Sequence, residues 1–98
     1  QADNKSTNIN SDKTTIEERI LQNDSYINTG LGIAIGVCDI SVNNRAEIKI
    51  STSDSEAFYD DVYVGTVYNV VLKGYKCQIA IKRINYIYGY VDVVINRI

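Results

Sequence analysis

The chain has 98 residues, of which 45% are hydrophobic and 22% charged, and its formal net charge is −2. This length supports one hydrophobic core, and the composition is that of a globular domain, not of a disordered or collagenous chain. No apolar run approaches the roughly 20 residues that a membrane-spanning helix needs, so we expect no transmembrane segment.

The first thirteen residues are polar and rich in Asn, Ser and Thr. We expect residues 1–13 to form a flexible leader, followed by a single domain over residues 14–98. The chain begins with Gln1 and not with Met, which is typical of a mature chain whose signal peptide has been removed. The sequence therefore predicts a periplasmic or secreted protein.

The next segment, residues 14–23, is predicted to be a helix. It opens with two overlapping capping boxes, at Thr14 and Thr15, and its apolar stripe contains Ile16 and Ile20. Because this stripe is narrow, we expect the helix to lie on the surface of a sheet.

Two strands are predicted after the helix. Residues 31–40 have too much glycine for a helix, and residues 46–52 alternate between apolar and polar side chains. Asn43 and Asn44 lie between them, and Asn tolerates the backbone of a tight turn. These segments are expected to form a hairpin, and the acidic residues 53–61 are expected to be a connection.

The C-terminal part contains two β segments and one ambiguous segment. Residues 62–72 alternate as a strand or second hairpin that Gly74 closes, and residues 90–98 are rich in β-branched side chains. Residues 77–88 fit two patterns. Cys77, Ile79 and Ile81 alternate as in a strand, whereas a larger set recurs at helical spacing: Cys77, Ala80, Ile81, Ile84, Ile87 and Tyr88.

The same region resembles the BON domains, which are small modules of bacterial envelope proteins. Val70-x-Leu72-x-Gly74 is similar to the V-x-L-x-G motif of that family, and Val91-x-x-Val94-x-Asn96-x-Ile98 is similar to its last strand. The resemblance implies a helix that contains Ala80, Ile81 and Ile84. It also implies that the protein contacts anionic phospholipid or another component of the cell envelope.

Two cysteines, Cys38 and Cys77, are predicted to form a disulfide if the protein is exported. This bond would close a loop of about 40 residues and stabilise the fold by about 4 kcal/mol. Two buried free thiols in a cytosolic protein are the alternative. Two cysteines without any histidine cannot complete a tetrahedral zinc site, and we expect neither a metal nor a cofactor.

Catalytic residues are not evident. Histidine is absent, which removes the usual catalytic triads and a partner for a cysteine nucleophile. The acid pairs Glu17-Glu18 and Asp60-Asp61 are sequence neighbours, and we expect the two members of each pair to diverge. We therefore predict that the protein is not an enzyme.

A candidate binding surface lies in the C-terminal third. Residues 62–98 hold five basic side chains against one acid, whereas residues 1–61 hold five against eleven. Eight tyrosines, with one Phe and no Trp, add amphipathic surface of the kind found at interfaces. The residues predicted to bind are Lys82, Arg83, Tyr86, Tyr88 and Tyr90. The acidic pI and the expected export argue against nucleic acid as the partner.

The predicted fold is α+β, with a small antiparallel or mixed sheet and one or two helices on one face. The alternative is an all-β meander or small barrel with an N-terminal helix, and it requires residues 77–88 to be a strand. The leading functional prediction is a non-catalytic envelope module that contacts anionic phospholipid or another envelope component. The alternatives are an exported inhibitor or immunity-type protein that acts by protein–protein contact, and a structural subunit of an envelope complex.

Overall fold

A computed structural model describes residues 15–72 and 74–98, and all regular structure in this part of the chain is β. The eight strands are β1 (Thr15–Leu21), β2 (Asp24–Asn28), β3 (Ile33–Ile40), β4 (Ala46–Thr52), β5 (Glu56–Val62), β6 (Val67–Leu72), β7 (Tyr75–Asn85) and β8 (Tyr90–Arg97). They form two antiparallel four-stranded sheets, with the orders β1-β8-β7-β6 (sheet 1) and β2-β3-β4-β5 (sheet 2).

The connectivity is that of an up-and-down meander that returns to its first strand. β2 to β5 pair in sequence within sheet 2, β6 to β8 pair in sequence within sheet 1, and β8 pairs with β1. The chain changes sheet between β1 and β2 and again between β5 and β6. The molecule is therefore a flattened eight-stranded barrel that is left unpaired at two seams.

One apolar core fills the space between the sheets. Each sheet contributes the alternate side chains of its strands, as expected for strands that bury one face. Ile35, Val37 and Ile48 of sheet 2 and Ile79, Val93 and Ile95 of sheet 1 are each at most 1% exposed. Tyr59 of β5 and Tyr68 of β6 stack across one seam with ring centroids 4.2 Å apart, and burial raises the pKa of Tyr68.

Three β-bulges interrupt the alternation. Each one places two consecutive residues on the solvent side, so that the next residue returns to the core. The pairs are Cys38-Asp39 in β3, Asp60-Asp61 in β5 and Lys82-Arg83 in β7. The bulge in β5 leaves both Asp60 and Asp61 exposed on the solvent side. The expectation that these two side chains diverge is therefore wrong.

The helix predicted over residues 14–23 is wrong within the described residues, since β1 spans Thr15–Leu21 and pairs with β8 along its whole length. An i, i+4 pair such as Ile16 and Ile20 fits both a helical period and an alternating one. β-branched Thr15, Ile16 and Ile20 favour the strand, and pairing with β8 decides it.

Residues 77–88 contain no helix, and the α+β fold is wrong. β7 covers Tyr75–Asn85 and lies between β6 and β8. The bulge at Lys82 and Arg83 changes the spacing of buried residues from two to three, between Ile81 and Ile84. That change, together with Ala80 on the outer face and Ile87 and Tyr88 in the turn after β7, produces the apparent helical spacing. The helix that the resemblance to BON domains implies is a strand in this chain.

The predicted disulfide is also absent. Cys38 is an exposed free thiol in the bulge of β3, whereas Cys77 is a free thiol in the core with 0% exposure. Burial raises the pKa of Cys77, and the charge of Arg97 opposes part of this shift. The covalent link between the hairpin and β7 therefore does not contribute to this fold.

Several sequence predictions agree with the structure. The hairpin consists of β3 and β4, β4 has the predicted bounds, and Asn44 in its turn adopts φ = 60°. The last strand covers Tyr90–Arg97. By contrast, the prediction that residues 53–61 are a connection is wrong, because β5 occupies most of this segment.

Candidate functional site

Four connections lie at the same end of the barrel, which we call the upper end. They are residues 22–23, 41–45, 63–66 and 86–89, the alternate turns of the meander. Hydrogen bonds join three of them: the amide of Gln22 donates to the carbonyl of Gly89 at 2.8 Å, and the amide of Tyr86 donates to Oδ1 of Asn44 at 3.1 Å.

Exposed apolar side chains concentrate at this end. Among the described residues, twelve large hydrophobic side chains are exposed, and six of them lie on the upper connections: Val42, Tyr63, Val64, Tyr86, Ile87 and Tyr88. We call Val42, Tyr86, Ile87 and Tyr88 the apolar tip. Their exposed fractions are 77%, 46%, 83% and 78%. Exposed apolar groups that cluster in this way are typical of an interaction site.

The two turns that carry the apolar tip are held by their own hydrogen bonds. Oδ1 of Asn85 accepts from the amide of Tyr88 at 2.9 Å, and the amide of Gly89 donates to the carbonyl of Asn85 at 2.9 Å. Gly89 has φ = 71°, which glycine adopts without strain. The bond between Asn44 and Tyr86 links this turn to the one that carries Val42. The backbone of the apolar tip is therefore fixed before any partner binds.

Acidic side chains flank the apolar tip on the side of sheet 2. Asp39, Glu47, Asp60 and Asp61 line one shallow surface depression with Arg45, and we call these four acids the acidic flank. Nη1 of Arg45 lies 3.2 Å from Oδ2 of Asp61. A hydrogen bond with the carboxyl group of Asp60 raises the pKa of Glu47, and the charges of Asp60 and Asp39 and partial desolvation add to this shift.

The five residues predicted to bind fall into two groups. Tyr86 and Tyr88 belong to the apolar tip. Lys82 and Arg83 lie in the bulge of β7, below the tip, and Tyr90 begins β8. The structure therefore places the basic residues in a strand and Tyr86 and Tyr88 in the turn that follows it.

The basic group lies among carboxylates. Nζ of Lys82 is 2.7 Å from Oε2 of Glu17, and Nη1 of Arg83 is 3.6 Å from Oδ2 of Asp92. Asp92 is only 4% exposed and also accepts two hydrogen bonds from Arg19, at 2.9 and 3.1 Å. These bonds raise the pKa of Arg19.

Tyr90 has a structural contact. The guanidinium of Arg19 lies 3.8 Å from the centroid of the Tyr90 ring, which is a cation–π geometry. This half-buried ring supports the ion cluster around Asp92.

Sequence reasoning missed several residues of the upper end. Ile87 belongs to the helical pattern over residues 77–88, and Val42 belongs to no predicted element, although it lies beside the turn signal Asn43-Asn44. A large aliphatic residue next to a turn signal could have suggested exposure. No local pattern could have brought Glu47 of β4 to Asp60 of β5, because that contact depends on the register of the bulged pair.

Within residues 15–72 and 74–98, no group of three or more Cys, Asp or Glu side chains is placed to hold a metal ion, the acidic flank included. The same residues contain no helix that could span a membrane. Comparisons with models of protein families, with curated proteins and with solved structures give no match for this chain.

Proposed function

We propose that this protein is a non-catalytic binding module of the inhibitor or immunity type, which docks its upper end on a protein partner. The observation that carries the proposal is the concentration of exposed apolar side chains at that end, where the upper connections hold six of the twelve in the described residues. The partner would present an apolar pocket to Ile87 and Tyr88, with basic groups opposite the acidic flank.

The chemistry of the apolar tip supports a protein partner. Tyrosine combines a large apolar surface with a hydroxyl group and loses little side-chain entropy on binding, which explains its frequency at interface hot spots. The turn that carries Tyr86 and Tyr88 is held by hydrogen bonds to the side chains of Asn44 and Asn85. Binding therefore needs little backbone ordering, and more of the contact energy appears as affinity.

The charge of the upper end supports a basic partner. The acidic flank has four carboxyl groups and one arginine within one depression. A partner with a positive surface would be attracted during the encounter, and its cations would relieve the repulsion among the four acids. An enzyme that binds a polyanion has such a surface, and an acidic protein that covers it would act as an inhibitor.

Anionic phospholipid is a second candidate, since exposed Ile87 and Tyr88 could also enter a bilayer interface. It has less support. Lys82 and Arg83, which would contact the headgroups, already lie near Glu17 and Asp92, and the acidic flank would be repelled by an anionic surface. Export remains a prediction, and it no longer gains support from the cysteines, because both thiols are free.

The proposal can be tested by replacing Tyr88 with a photoreactive phenylalanine analogue in the living source cells. Phe58, on the outer side of β5 and 65% exposed, is the matched control position. We expect a discrete cross-linked protein from position 88 that is absent from position 58. Purified, that protein should bind the wild-type chain, and Tyr88→Ala should weaken its affinity about tenfold or more while Phe58→Ala leaves it unchanged.

Two further measurements distinguish the candidates. For a protein partner, raising the salt concentration should slow association, and Asp61→Asn should slow it as well. Sedimentation with vesicles of phosphatidylglycerol and of phosphatidylcholine tests the lipid candidate. Binding to the anionic vesicles alone, with no cross-linked protein from position 88, would refute the protein-partner proposal.

A further inference from the structure

The unpaired edge of sheet 1 at β6 differs from the other three sheet edges. An edge strand presents unpaired N–H and C=O groups, and proteins usually protect it with charges, bulges or a short length. β1 has three consecutive charged residues, β2 has only five residues and begins with Asp24, and β5 contains the bulge at Asp60-Asp61. β6 has the sequence Val-Tyr-Asn-Val-Val-Leu, without a charge, a proline or a bulge.

The outward side chains of β6 are apolar at both ends and amide-bearing in the middle. Val67 and Val71 are 48% and 73% exposed, and Asn69 lies between them on the same face. Oδ1 of Asn69 accepts a hydrogen bond from Nε2 of Gln78 on β7 at 3.1 Å. The Nδ2 group of Asn69 keeps its two donor hydrogens, and its Oδ1 keeps a second lone pair.

This arrangement is complementary to itself. If two copies of β6 pair antiparallel about a two-fold axis at Asn69, each Val67 lies opposite Val71 of the second copy, and the two Asn69 residues face each other. Their amides could exchange hydrogen bonds and extend the bond from Gln78 into a ladder of four amides. Such an interface is isologous, and it brings no like charges of β6 together.

We propose that the protein forms a symmetric dimer through β6, in which the two copies of sheet 1 join into one eight-stranded sheet. A second copy of this chain fits the edge better than a foreign peptide because the strand is uncharged and the order of its outward side chains (Val67, Asn69, Val71) is the same in both directions. The interface contains no residue of the apolar tip, so the dimer would present two upper ends. This proposal does not depend on the proposed function.

The first test is the mass of the full chain in solution, by sedimentation equilibrium over a range of concentrations. We expect the wild type to approach twice the 11.0 kDa of one chain as its concentration rises. Val71→Lys should place a cation opposite Val67 of the second copy and raise the dimer dissociation constant at least tenfold. Val42→Lys, at a residue of similar exposure in the apolar tip, should leave the dimer intact.

A cysteine substitution tests the register. Asn69→Cys in a Cys38→Ser background should form a disulfide between two copies on mild oxidation, because directly opposed residues have Cα atoms about 4.5–5.5 Å apart, within the range of a disulfide. Val42→Cys in the same background should not form it. Since both sites are exposed, neither change disturbs the core.

The results separate the two proposals. A wild type that remains monomeric at high concentration, or a Val71→Lys variant that dimerises as well as the wild type, would overturn the dimer. A dimer that Val71→Lys disrupts, but that Asn69→Cys does not cross-link, would overturn the register. Loss of partner binding in Tyr88→Ala with the dimer unchanged would support the proposed function on its own.

Discussion

The two cysteines provide a sharp test of the fold, because a disulfide and two free thiols predict opposite results. Cys77 lies in the core with 0% exposure. Cys77→Ser replaces the thiol with a hydroxyl group that is buried among apolar side chains and can no longer hydrogen-bond to water. An unsatisfied buried polar group costs about 1–3 kcal/mol, a large share of the roughly 5–15 kcal/mol that stabilises a small domain.

Cys38→Ser should behave differently. The Cys38 side chain is exposed in the bulge of β3, so the new hydroxyl group keeps its contact with water. We expect its free energy of unfolding to stay within about 0.5 kcal/mol of the wild type. By contrast, Cys77→Ser should lower the melting temperature by roughly 4–24 °C, since each kcal/mol corresponds to about 4–8 °C in a domain of this size.

The assay combines urea unfolding of both variants with titration of thiols by a chromogenic disulfide reagent. In the native wild type one thiol, Cys38, should react at once. Cys77 should react only on unfolding, because it is buried and its raised pKa keeps it protonated. Equal loss of stability in both variants, or no thiol reaction even in denaturant, would show a disulfide and refute this reasoning.

Three further predictions concern the core, the acidic flank and the upper turns. Ile79→Ala should cost about 3–5 kcal/mol in urea unfolding, because Ile79 is completely buried between the sheets. Glu47→Gln should be more stable than the wild type at neutral pH, and unfolding at several pH values should show this gain shrinking under acid conditions. Asn44→Ala should lower the melting temperature more than Asn44→Gly, because Asn44 has φ = 60°, and both should loosen the turn at Tyr86, as hydrogen exchange of that amide would report.

The sign for Glu47 follows from its raised pKa. A carboxyl group whose folded pKa lies above its ordinary value of 4.5 favours folding only while it is protonated. The stability that protonated Glu47 contributes is fully present below the pKa of the group in the unfolded chain. It is lost as the pH rises through the pKa in the folded protein, because the ionised Glu47 then repels Asp60. Glu47→Gln removes that repulsion. A gain that grew toward low pH would contradict the proposed contact between the two acids.

The other two predictions have their own refuting results. A loss below about 1 kcal/mol for Ile79→Ala would mean that the sheets are not packed as tightly as the burial of the core indicates. If Asn44→Gly protected the Tyr86 amide as well as the wild type does, the hydrogen bond from that amide to the Asn44 side chain would not hold the turn.

The sequence alone determined the elements whose pattern agrees with their final environment. β4 alternates strictly between buried and outward residues, β8 is rich in valine and isoleucine, and Asn43-Asn44 marks the turn before β4. In these segments the local sequence preference and the tertiary packing favour the same structure, so the alternation of apolar and polar residues is sufficient to predict the strand. The absence of histidine and the abundance of tyrosine were also visible in the sequence.

Only the tertiary structure shows that β1 and β7 are strands and that the two cysteines are free thiols. The bulge at Lys82-Arg83 shifts the phase of β7, and a shifted strand can imitate a helix in its apolar spacing. Cys38 lies on the outer face of β3, whereas Cys77 lies on the inner face of β7. A bulge is set by pairing with a neighbouring strand and not by local sequence, and the same pairing gathers distant turns into the apolar tip.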